Sequence, residues 1–308
     1  MPAFRQNKIN TLHTAVSRWY RKHRRELAWR STTNPYEILI SEIMLQQTQV
    51  SRVQEKLPLF LEKFPTLRSL GSASKADVLH AWRGMGYNNR AVRMRDMARI
   101  VVDRYNGKLP SDVEVLLQLP GIGPYTAHAV ACFAFRKNVP VVDVNIRRVL
   151  SRLLWRMGDP AGPKNDEEVW QLAKKILPKN GYSWNQALMD LGATICKSQK
   201  PLCERCPVRS VCRSRHLRHY NLPAKFPGGK KPSEPSYHGI PQRLWRGKIV
   251  EALRNVNGKG SISMRQLGKA IKPTFSGDEL PWLHLLIGKL ERDGIVERVR
   301  SNIMLSKE

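Results

Sequence analysis

Residues 119–127 read Leu119-Pro120-Gly121-Ile122-Gly123-Pro124-Tyr125-Thr126-Ala127 and lie between two segments of helical periodicity. Pro120 is expected to end the first helix, and Pro124 suits the first position of the second helix. Gly121 and Gly123 allow a tight turn with positive φ. Such a turn presents backbone N–H groups at a helix N-terminus, which is a site that binds anions. Read alone, two glycines between helices more often indicate a plain connector, and the basic charge of the chain shifts the balance toward phosphate binding.

The charge balance favours a polyanionic partner. The 308 residues include 53 Lys and Arg against 25 Asp and Glu, so the formal net charge is +28. Nucleic acid is the obvious partner for so basic a protein, because Lys and Arg bind phosphate. A hydrophobic content of 41% excludes a disordered chain. There is no apolar run of the roughly 18 residues that a membrane span needs, and no signal-peptide pattern, so we expect a soluble, intracellular (cytoplasmic or nucleoid) protein.

The chain is expected to be helical up to about residue 215, since strand signals are nearly absent there. A basic linker rich in proline and glycine is predicted at residues 216–241. Beyond it we predict three helices and a final hairpin, at residues 242–255, 264–271, 280–293 and 295–305. The hairpin would turn at Ser301-Asn302. Three helices and a hairpin indicate a small winged-helix-like domain at residues 242–308.

An acidic residue lies within residues 34–50, which we predict to form one helix. Glu42, Gln46 and Gln49 then line the edge of an apolar stripe. An acid beside apolar surface has a raised pKa and can donate a proton near neutral pH. The amides could bind to base edges. A solvated Glu/Gln face remains the plain alternative.

A second acid, Asp143, lies where an apolar loop becomes a basic helix. Aspartate is a good helix N-cap, which explains the residue without any function. The functional alternative is a carboxylate that opposes a developing cation, with Asn145 orienting it.

Four of the five cysteines fall within 17 residues, at Cys196, Cys203, Cys206 and Cys212. Four close thiolates in a reducing compartment indicate a metal site. Their spacing does not separate tetrahedral zinc from a [4Fe–4S] cluster.

Together, the glycine hairpin, Asp143 and the cysteine spacing resemble the helix-hairpin-helix DNA glycosylases. Residues 41–50 and 185–192 are similar to the members of this family that remove adenine opposite 8-oxoguanine. The resemblance covers about residues 10–215. It implies an all-α, two-lobed catalytic region. Its predicted parts are a six-helix barrel at residues 28–137 and an iron–sulfur cluster lobe at residues 1–27 and 138–215.

The resemblance implies a monofunctional DNA glycosylase of base excision repair that hydrolyses the N-glycosidic bond of adenine mispaired with 8-oxoguanine or guanine. Glu42 and Asp143 would face a cleft that receives the flipped adenine. Glu42 would protonate the base, Asp143 would stabilise the cationic sugar, and Tyr125 and Asn145 would help to hold the site. Related strand-cleaving enzymes carry a lysine nucleophile at the position of Tyr125, so we expect base removal without efficient strand cleavage.

The resemblance also implies a set of ligand contacts. The four cysteines would hold a [4Fe–4S] cluster, and the partner would be double-stranded DNA with a mismatch or an oxidised guanine, bound by a monomer. The residues expected to contact DNA are Gln46, Gln47, Gln49, Tyr87, Leu119, Gly121, Gly123 and Thr126. Tyr87 could act as a wedge between bases or be a packed core residue.

The chain departs from the family pattern at a few positions. Asn88 stands where a second tyrosine is usual, Val144 where glycine is common and Pro124 where arginine is common. Residues 242–308 do not resemble the family's NUDIX-like C-terminal domain.

Two other functions stay open from the sequence. One is a glycosylase of the same scaffold that removes thymine or uracil from G mispairs, against which Glu42 argues. The other is a non-catalytic DNA-binding protein with a structural or redox cluster, against which the two acids together argue.

Overall fold

The computed structural model describes residues 6–155, 165–215, 234–256 and 260–308. These residues are mostly helical, with two small sheets near the C-terminus. The all-α prediction with a C-terminal hairpin is confirmed. No helix in the described residues is long and apolar enough to cross a membrane.

Eleven α-helices precede the predicted linker within the described ranges. They are α1 Gln6–His23, α2 Pro35–Leu45, α3 Val50–Lys63, α4 Leu67–Ser72, α5 Lys75–Ala81, α6 Asn89–Tyr105, α7 Val113–Leu117, α8 Pro124–Phe133, α9 Val144–Leu154, α10 Asp166–Lys175 and α11 Gly181–Thr194. Short 3₁₀ turns lie at Ala28–Arg30, Cys203–Arg205 and Arg209–Val211.

The chain divides into two compact units. Among the described residues, the first holds residues 6–39, 111–117, 122–155 and 165–215, and the second holds residues 40–110, 118–121, 234–256 and 260–308. The barrel and cluster-lobe boundaries expected from the resemblance stay a prediction.

The core of the first unit is built from α1, α8, α9, α10 and α11. Helix α1 buries an apolar residue every three or four positions, at Ile9, Leu12, Val16 and Trp19. That spacing places them on one face of the helix. They belong to one apolar cluster with residues of α9 and α11, including the fully buried Leu150 and Leu191. This packing holds the start of α9, where Asp143 lies.

In the second unit, α3, α5 and α6 bury large side chains. Phe60 of α3 meets Trp82, just after α5, edge to face with ring centroids 5.9 Å apart. Met94 and Met97 of α6 are also buried. These residues support the segment between α5 and α6, which carries Tyr87.

The C-terminal residues form three helices and a three-stranded antiparallel sheet. The elements are β1 Ser236–Tyr237, β2 Ile240–Pro241, α12 Gln242–Arg254, β3 Ile262–Ser263, α13 Met264–Ile271, α14 Leu280–Arg292, β4 Val296–Val299 and β5 Asn302–Leu305. The sheet order is β3-β5-β4. The three predicted helices are confirmed to within a residue or two, and the hairpin turns at residues 300–301, one residue earlier than predicted.

The predicted linker is wrong over its last part. Residues 236–241 form a small hairpin, β1 with β2, instead of an extended connector. The Tyr237 hydroxyl donates to Glu279 Oε1 (2.8 Å) and Trp245 Nε1 donates to the Tyr237 carbonyl (3.0 Å), so the hairpin is tied to α12 and to the turn before α14. The rest of the predicted linker, residues 216–233, lies outside the described residues.

Two predictions about the hairpin at residues 119–127 need correction. The helix before it ends at Leu117, ahead of Pro120. Gly121 has φ of +82°, as predicted, but Gly123 has φ of −99° and is extended. Gly123 is the N-cap of α8, and caps take β-region backbone, so the positive φ is needed at one glycine only. Pro124 begins α8 as predicted.

Candidate active site

Asp143 is the N-cap of α9. Its Oδ1 accepts a hydrogen bond from the Ile146 backbone N–H (2.6 Å), and its Oδ2 accepts one from Asn145 Nδ2 (2.8 Å). The capping interpretation is therefore confirmed, and Asn145 orients the carboxylate. Burial raises the pKa of Asp143 above its usual range, although the hydrogen bonds from Ile146 and Asn145 oppose this rise. The arrangement provides a fixed, partly desolvated carboxylate at a helix N-terminus.

Arg148 supports this carboxylate through Asn145, and the sequence reasoning missed it. Its Nη2 donates to Asn145 Oδ1 (2.8 Å) and to the Gly192 carbonyl (2.8 Å). Its Nε donates to the Cys196 carbonyl (2.7 Å). Because the amide oxygen of Asn145 is held by Arg148, its amide nitrogen must face Asp143. The only local signal for this role is the i, i+3 spacing of Asn145 and Arg148 on one helix.

Helix α11 supports the same region from a second side. Asn185 accepts from the Val141 backbone N–H (3.2 Å) and donates to the Val139 carbonyl (3.0 Å), which fixes the loop before Asp143. A Cβ at Gly192 would come within 2.6 Å of Asn145 Cβ, so only glycine allows α9 this close. Both residues lie in the segment 185–192 on which the resemblance was based. Their contacts span more than 40 residues of sequence, which is why no local pattern predicts them.

The hairpin places Tyr125 and Thr126 in the first turn of α8. Tyr125 is half-buried against the core cluster of the first unit. The side chains of Thr126 and Leu119 are buried, whereas Gly121 is exposed and Gly123 is partly exposed. Of these four predicted DNA contacts, the two glycines therefore offer exposed backbone.

Glu42 lies in the middle of α2 and is 3% exposed, which contradicts the solvated-face alternative. The prediction of one helix through residue 50 is wrong. Helix α2 ends at Leu45, Gln47 has φ of 55°, and α3 begins at Val50. The expected alignment of Glu42, Gln46 and Gln49 along one helical edge is therefore absent. Gln46 is partly exposed, and Gln47 and Gln49 are exposed, in the turn between the two helices.

Arg90 explains why α2 stops. Its Nη1 donates to the carbonyls of Ile43 (2.9 Å), Met44 (3.1 Å) and Gln46 (2.6 Å). These oxygens need a partner once the helix ends. Burial lowers the pKa of Arg90 to about 10, so the guanidinium stays charged at neutral pH. Arg90 lies more than 40 residues further along the chain, so the sequence around α2 does not reveal its end.

Tyr87 lies between α5 and α6 and is 52% exposed, which contradicts the packed-core alternative. It has φ of 47°, and the guanidinium of Arg90 lies 5.5 Å from its ring centroid. The tyrosine is thus an ordered aromatic side chain that faces solvent.

The structure brings together some of the predicted site residues. Asp143, Asn145 and Tyr125 belong to the first unit, and Glu42, Gln46, Gln47, Gln49 and Tyr87 belong to the second. The pairing of Glu42 with Asp143 across a cleft stays a prediction.

The four cysteines line one cavity with apolar walls in the first unit. Arg152 Nη1 lies 3.5 Å from Cys196 Sγ, and its guanidinium also binds the carbonyls of Lys197 and Ser198 (2.6 and 2.8 Å). Burial raises the pKa of Cys206 to about 12. Among the described residues, no three side chains of the types that bind metals are grouped closely enough for a single ion. Four cysteines around one cavity, without three of them grouped for a single ion, fit a multi-atom cluster better than lone zinc, whose ligands converge on one point.

Comparison with known proteins agrees with this geometry. Residues 40–179 match the model of the HhH-GPD superfamily base excision DNA repair proteins. The chain is 40% identical over 239 residues to the adenine DNA glycosylase of Mycolicibacterium smegmatis, covering 77% of this chain and 78% of that protein. It belongs to the family of HhH-GPD adenine DNA glycosylases.

Other proteins are similar to this chain in sequence or in fold. The human adenine DNA glycosylase is 39% identical over 218 residues, which cover 68% of this chain and 40% of the human protein. A thermostable thymine-DNA glycosylase of known structure aligns with a TM-score of 0.64 at 31% identity, over 68% of this chain and 97% of that one. An endonuclease III in a non-covalent complex with DNA aligns with a TM-score of 0.61 at 27% identity, over 69% and 97%.

Proposed function

We propose that this HhH-GPD glycosylase hydrolyses the N-glycosidic bond of adenine mispaired with 8-oxoguanine or guanine and leaves the DNA strand intact. The observation that carries the proposal is the carboxylate of Asp143. It is partly desolvated, is fixed by Ile146 and Asn145, and begins a helix within the region that matches the family. Such a group suits electrostatic stabilisation of a cation that develops beside it.

The two acids have complementary tasks. As the bond between C1′ and N9 breaks, its electron pair moves onto adenine, and Glu42 donates a proton to N7 of the leaving base. The sugar becomes oxocarbenium-like, and Asp143 opposes its positive charge. Water then adds its oxygen to C1′ and releases a proton to solvent, and Glu42 regains a proton from solvent, which restores the starting enzyme. The adenine must leave the base stack first, because the bond cannot be reached within the duplex.

The residues around the acids set the outcome of the reaction. Asn145 and Arg148 hold Asp143 in one orientation. Tyr125 occupies the position where the strand-cleaving relatives carry lysine. Because a phenol cannot form a Schiff base with the sugar, the product is an abasic site on an intact strand.

Double-stranded DNA is the proposed partner, bound by a single copy of the chain. Gly123 offers open space, since a Cβ there would meet no atom within 4 Å, so nothing inside the protein requires glycine at this position. A phosphate could approach the hairpin backbone there. Tyr87 would insert beside the mismatch, and the exposed amides of Gln47 and Gln49 would contact bases.

We propose that Cys196, Cys203, Cys206 and Cys212 hold a [4Fe–4S] cluster. The cluster would cross-link residues 196–212 in one fixed arrangement. The protein contributes the apolar cavity and the nearby charge of Arg152. A broad visible absorbance band of the purified protein, with four irons per chain, is the expected signature, and a colourless protein containing zinc would contradict it.

A mismatch panel tests the reaction. Single-turnover assays with duplexes holding A:8-oxoguanine, A:G, T:G and U:G should show base loss with the first two only. Each product should nick after treatment with alkali and stay intact without it. Loss of thymine or uracil in preference to adenine would favour the rival glycosylase activity. Tight binding without loss of any base would favour a non-catalytic DNA-binding protein.

A further inference from the structure

The segment that carries Tyr87 is an unusual loop. Gly84, Gly86 and Tyr87 all have positive φ, at 83°, 67° and 47°. Glycine adopts positive φ readily, whereas another residue does so only at an energetic cost. The loop therefore needs support from its surroundings to hold the tyrosine in one place.

Part of that support comes from the helical region around the loop. Trp82 Nε1 donates to the Gly86 carbonyl (3.0 Å), and Arg52 Nη1 donates to the Gly84 carbonyl (3.1 Å). Arg90 Nη2 donates to the Met85 carbonyl (3.0 Å). Three successive carbonyls of the loop are thus bound by side chains.

The remaining support comes from the last turns of α12, in the C-terminal domain. On one flank of the loop, Arg83 Nε donates to Glu251 Oε1 (2.8 Å), and its Nη2 donates to Asn255 Oδ1. On the other flank, Arg254 Nη2 donates to Asn88 Oδ1 (3.0 Å). The two residues that border Gly84–Tyr87 are therefore both held by one helix.

Arg254 is the central residue of this contact. Its side chain is 5% exposed, its Nε donates to the Leu79 carbonyl (3.1 Å), and its Nη1 pairs with Glu251 Oε2 (3.1 Å). It binds the end of α5, the start of α6 and its own helix at once. A buried guanidinium with a partner on each nitrogen is fixed in orientation.

We propose that the C-terminal domain positions the Tyr87 loop for DNA, with Arg254 as the positioning residue. The inference rests on the proposed role of Tyr87 as a wedge. The domain would then aid excision through the loop. Holding the loop in advance removes the cost of ordering it when DNA binds. Asn88 stands where the family usually has a second tyrosine, and its side-chain oxygen accepts the hydrogen bond from Arg254.

The direct test is Arg254→Met, which keeps the length and apolar stem of the side chain. We expect single-turnover excision from A:8-oxoguanine duplex to slow about tenfold, as misplacement of a substrate-positioning group does. Hydrogen exchange at the amides of residues 84–88 should speed up. The matched control is Arg246→Met, because Arg246 lies on the same helix and pairs with Asp293 inside the C-terminal domain. It should change neither measurement.

Two further variants keep the test decisive. Asn88→Ala removes the same hydrogen bond from the other side and leaves Arg254 and its contacts with Leu79 and Glu251 in place. It should slow excision and speed loop exchange in the same direction as Arg254→Met, and it remains informative even if Arg254→Met unfolds the C-terminal residues. In a Tyr87→Ala background, Arg254→Met should cause no additional slowing. Unchanged loop exchange in both Arg254→Met and Asn88→Ala would overturn the proposal, and so would an additive loss with Tyr87→Ala.

If Tyr87 does not act as a wedge, the same variants would give a different set of results. If Tyr87→Ala leaves excision and binding unchanged, the role of Tyr87 in the proposed function is wrong. Faster exchange at residues 84–88 in Arg254→Met would still show that α12 orders the loop.

Discussion

Two aspartates of the first unit, Asp143 and Asp190, have pKa values that the fold shifts in opposite directions. Burial raises the pKa of Asp143, so the folded protein works against its ionisation. Asp190 is fully buried, yet Arg30 and Arg25 lower its pKa below the usual range despite the cost of burial. The negative charge of Asp190 therefore stabilises the fold. The negative charge of Asp143 is costly in the free protein, and a cationic transition state beside it would stabilise that charge.

Asp143→Asn should abolish excision and change how stability depends on pH. A raised folded-state pKa means that stability is greatest below the unfolded-state pKa and falls as pH rises through the folded-state pKa. Removing the ionisable group removes that loss. Asparagine can still cap α9 through its oxygen, but its NH2 group would face the NH2 group of Asn145, so it gives up the hydrogen bond from Asn145 at every pH. We therefore expect the melting temperature of the variant, relative to that of the unaltered protein, to rise by about 2 °C between pH 4 and pH 7, as measured by thermal unfolding over a pH series.

Asp190→Asn is a control for which we expect the opposite effect of pH on stability. The lowered pKa of Asp190 contributes stability above the unfolded-state pKa, and this stability is lost as pH falls through the folded-state value. We expect a loss of about 3 kcal/mol at pH 7, because two arginines keep their charge without a buried partner. The same direction of change for both variants would contradict the assignment of Asp143.

At the scale of elements, the two glycines of the hairpin have different reasons to be there. Gly121 is required by the fold, since its φ is +82° and a Cβ would lie 3.2 Å from Arg93 Cβ. Gly123 has an ordinary φ and open space around it. Only an approaching ligand would demand glycine at position 123.

Alanine at each of the two positions should distinguish a requirement of the fold from a requirement of DNA binding. Gly121→Ala should lower the free energy of unfolding by about 1–2 kcal/mol. Gly123→Ala should change the free energy of unfolding by no more than about 0.5 kcal/mol, because the lower entropy of the unfolded chain is opposed by the poorer N-cap preference of alanine. It should nevertheless weaken duplex binding about tenfold through the loss of a charged hydrogen bond. Denaturant unfolding and fluorescence anisotropy measure the two effects. Normal DNA affinity of Gly123→Ala would contradict phosphate binding at the hairpin.

Elements with local signals could be predicted from the sequence. Pro124 begins α8, Asp143 caps α9, and α12, α13 and α14 lie within a residue or two of their predicted bounds. In each case the determining residues are neighbours along the chain. The proline, the cap and the apolar spacing act within one or two turns.

Features set by distant residues could not be predicted. Helix α2 ends at Leu45 because Arg90 binds its terminal carbonyls, and the loop before Asp143 is fixed by Asn185. The roles of Arg148 and Arg254 likewise depend on partners in other elements. Arginine is abundant throughout this chain, so composition gives no sign of which guanidinium is structural.

At the scale of the whole molecule, a net charge of +28 makes DNA affinity depend on salt. The logarithm of the association constant for any duplex should fall linearly with the logarithm of the salt concentration. With about six to ten phosphates neutralised, the loss between 50 and 200 mM salt is roughly 10³–10⁵-fold. Titration of matched and mismatched duplexes should give similar slopes, and a flat dependence would contradict phosphate contacts as the main source of affinity.

The pairing of Glu42 with Asp143 is tested most directly by comparing excision with binding for each acid. Single-turnover rates on A:8-oxoguanine duplex should fall by at least about 100-fold in both Glu42→Gln and Asp143→Asn. The dissociation constant of the same duplex should stay within about threefold of the unaltered protein. Excision that persists in either variant, or binding that weakens as much as excision slows, would contradict the catalytic roles assigned to these two carboxyl groups.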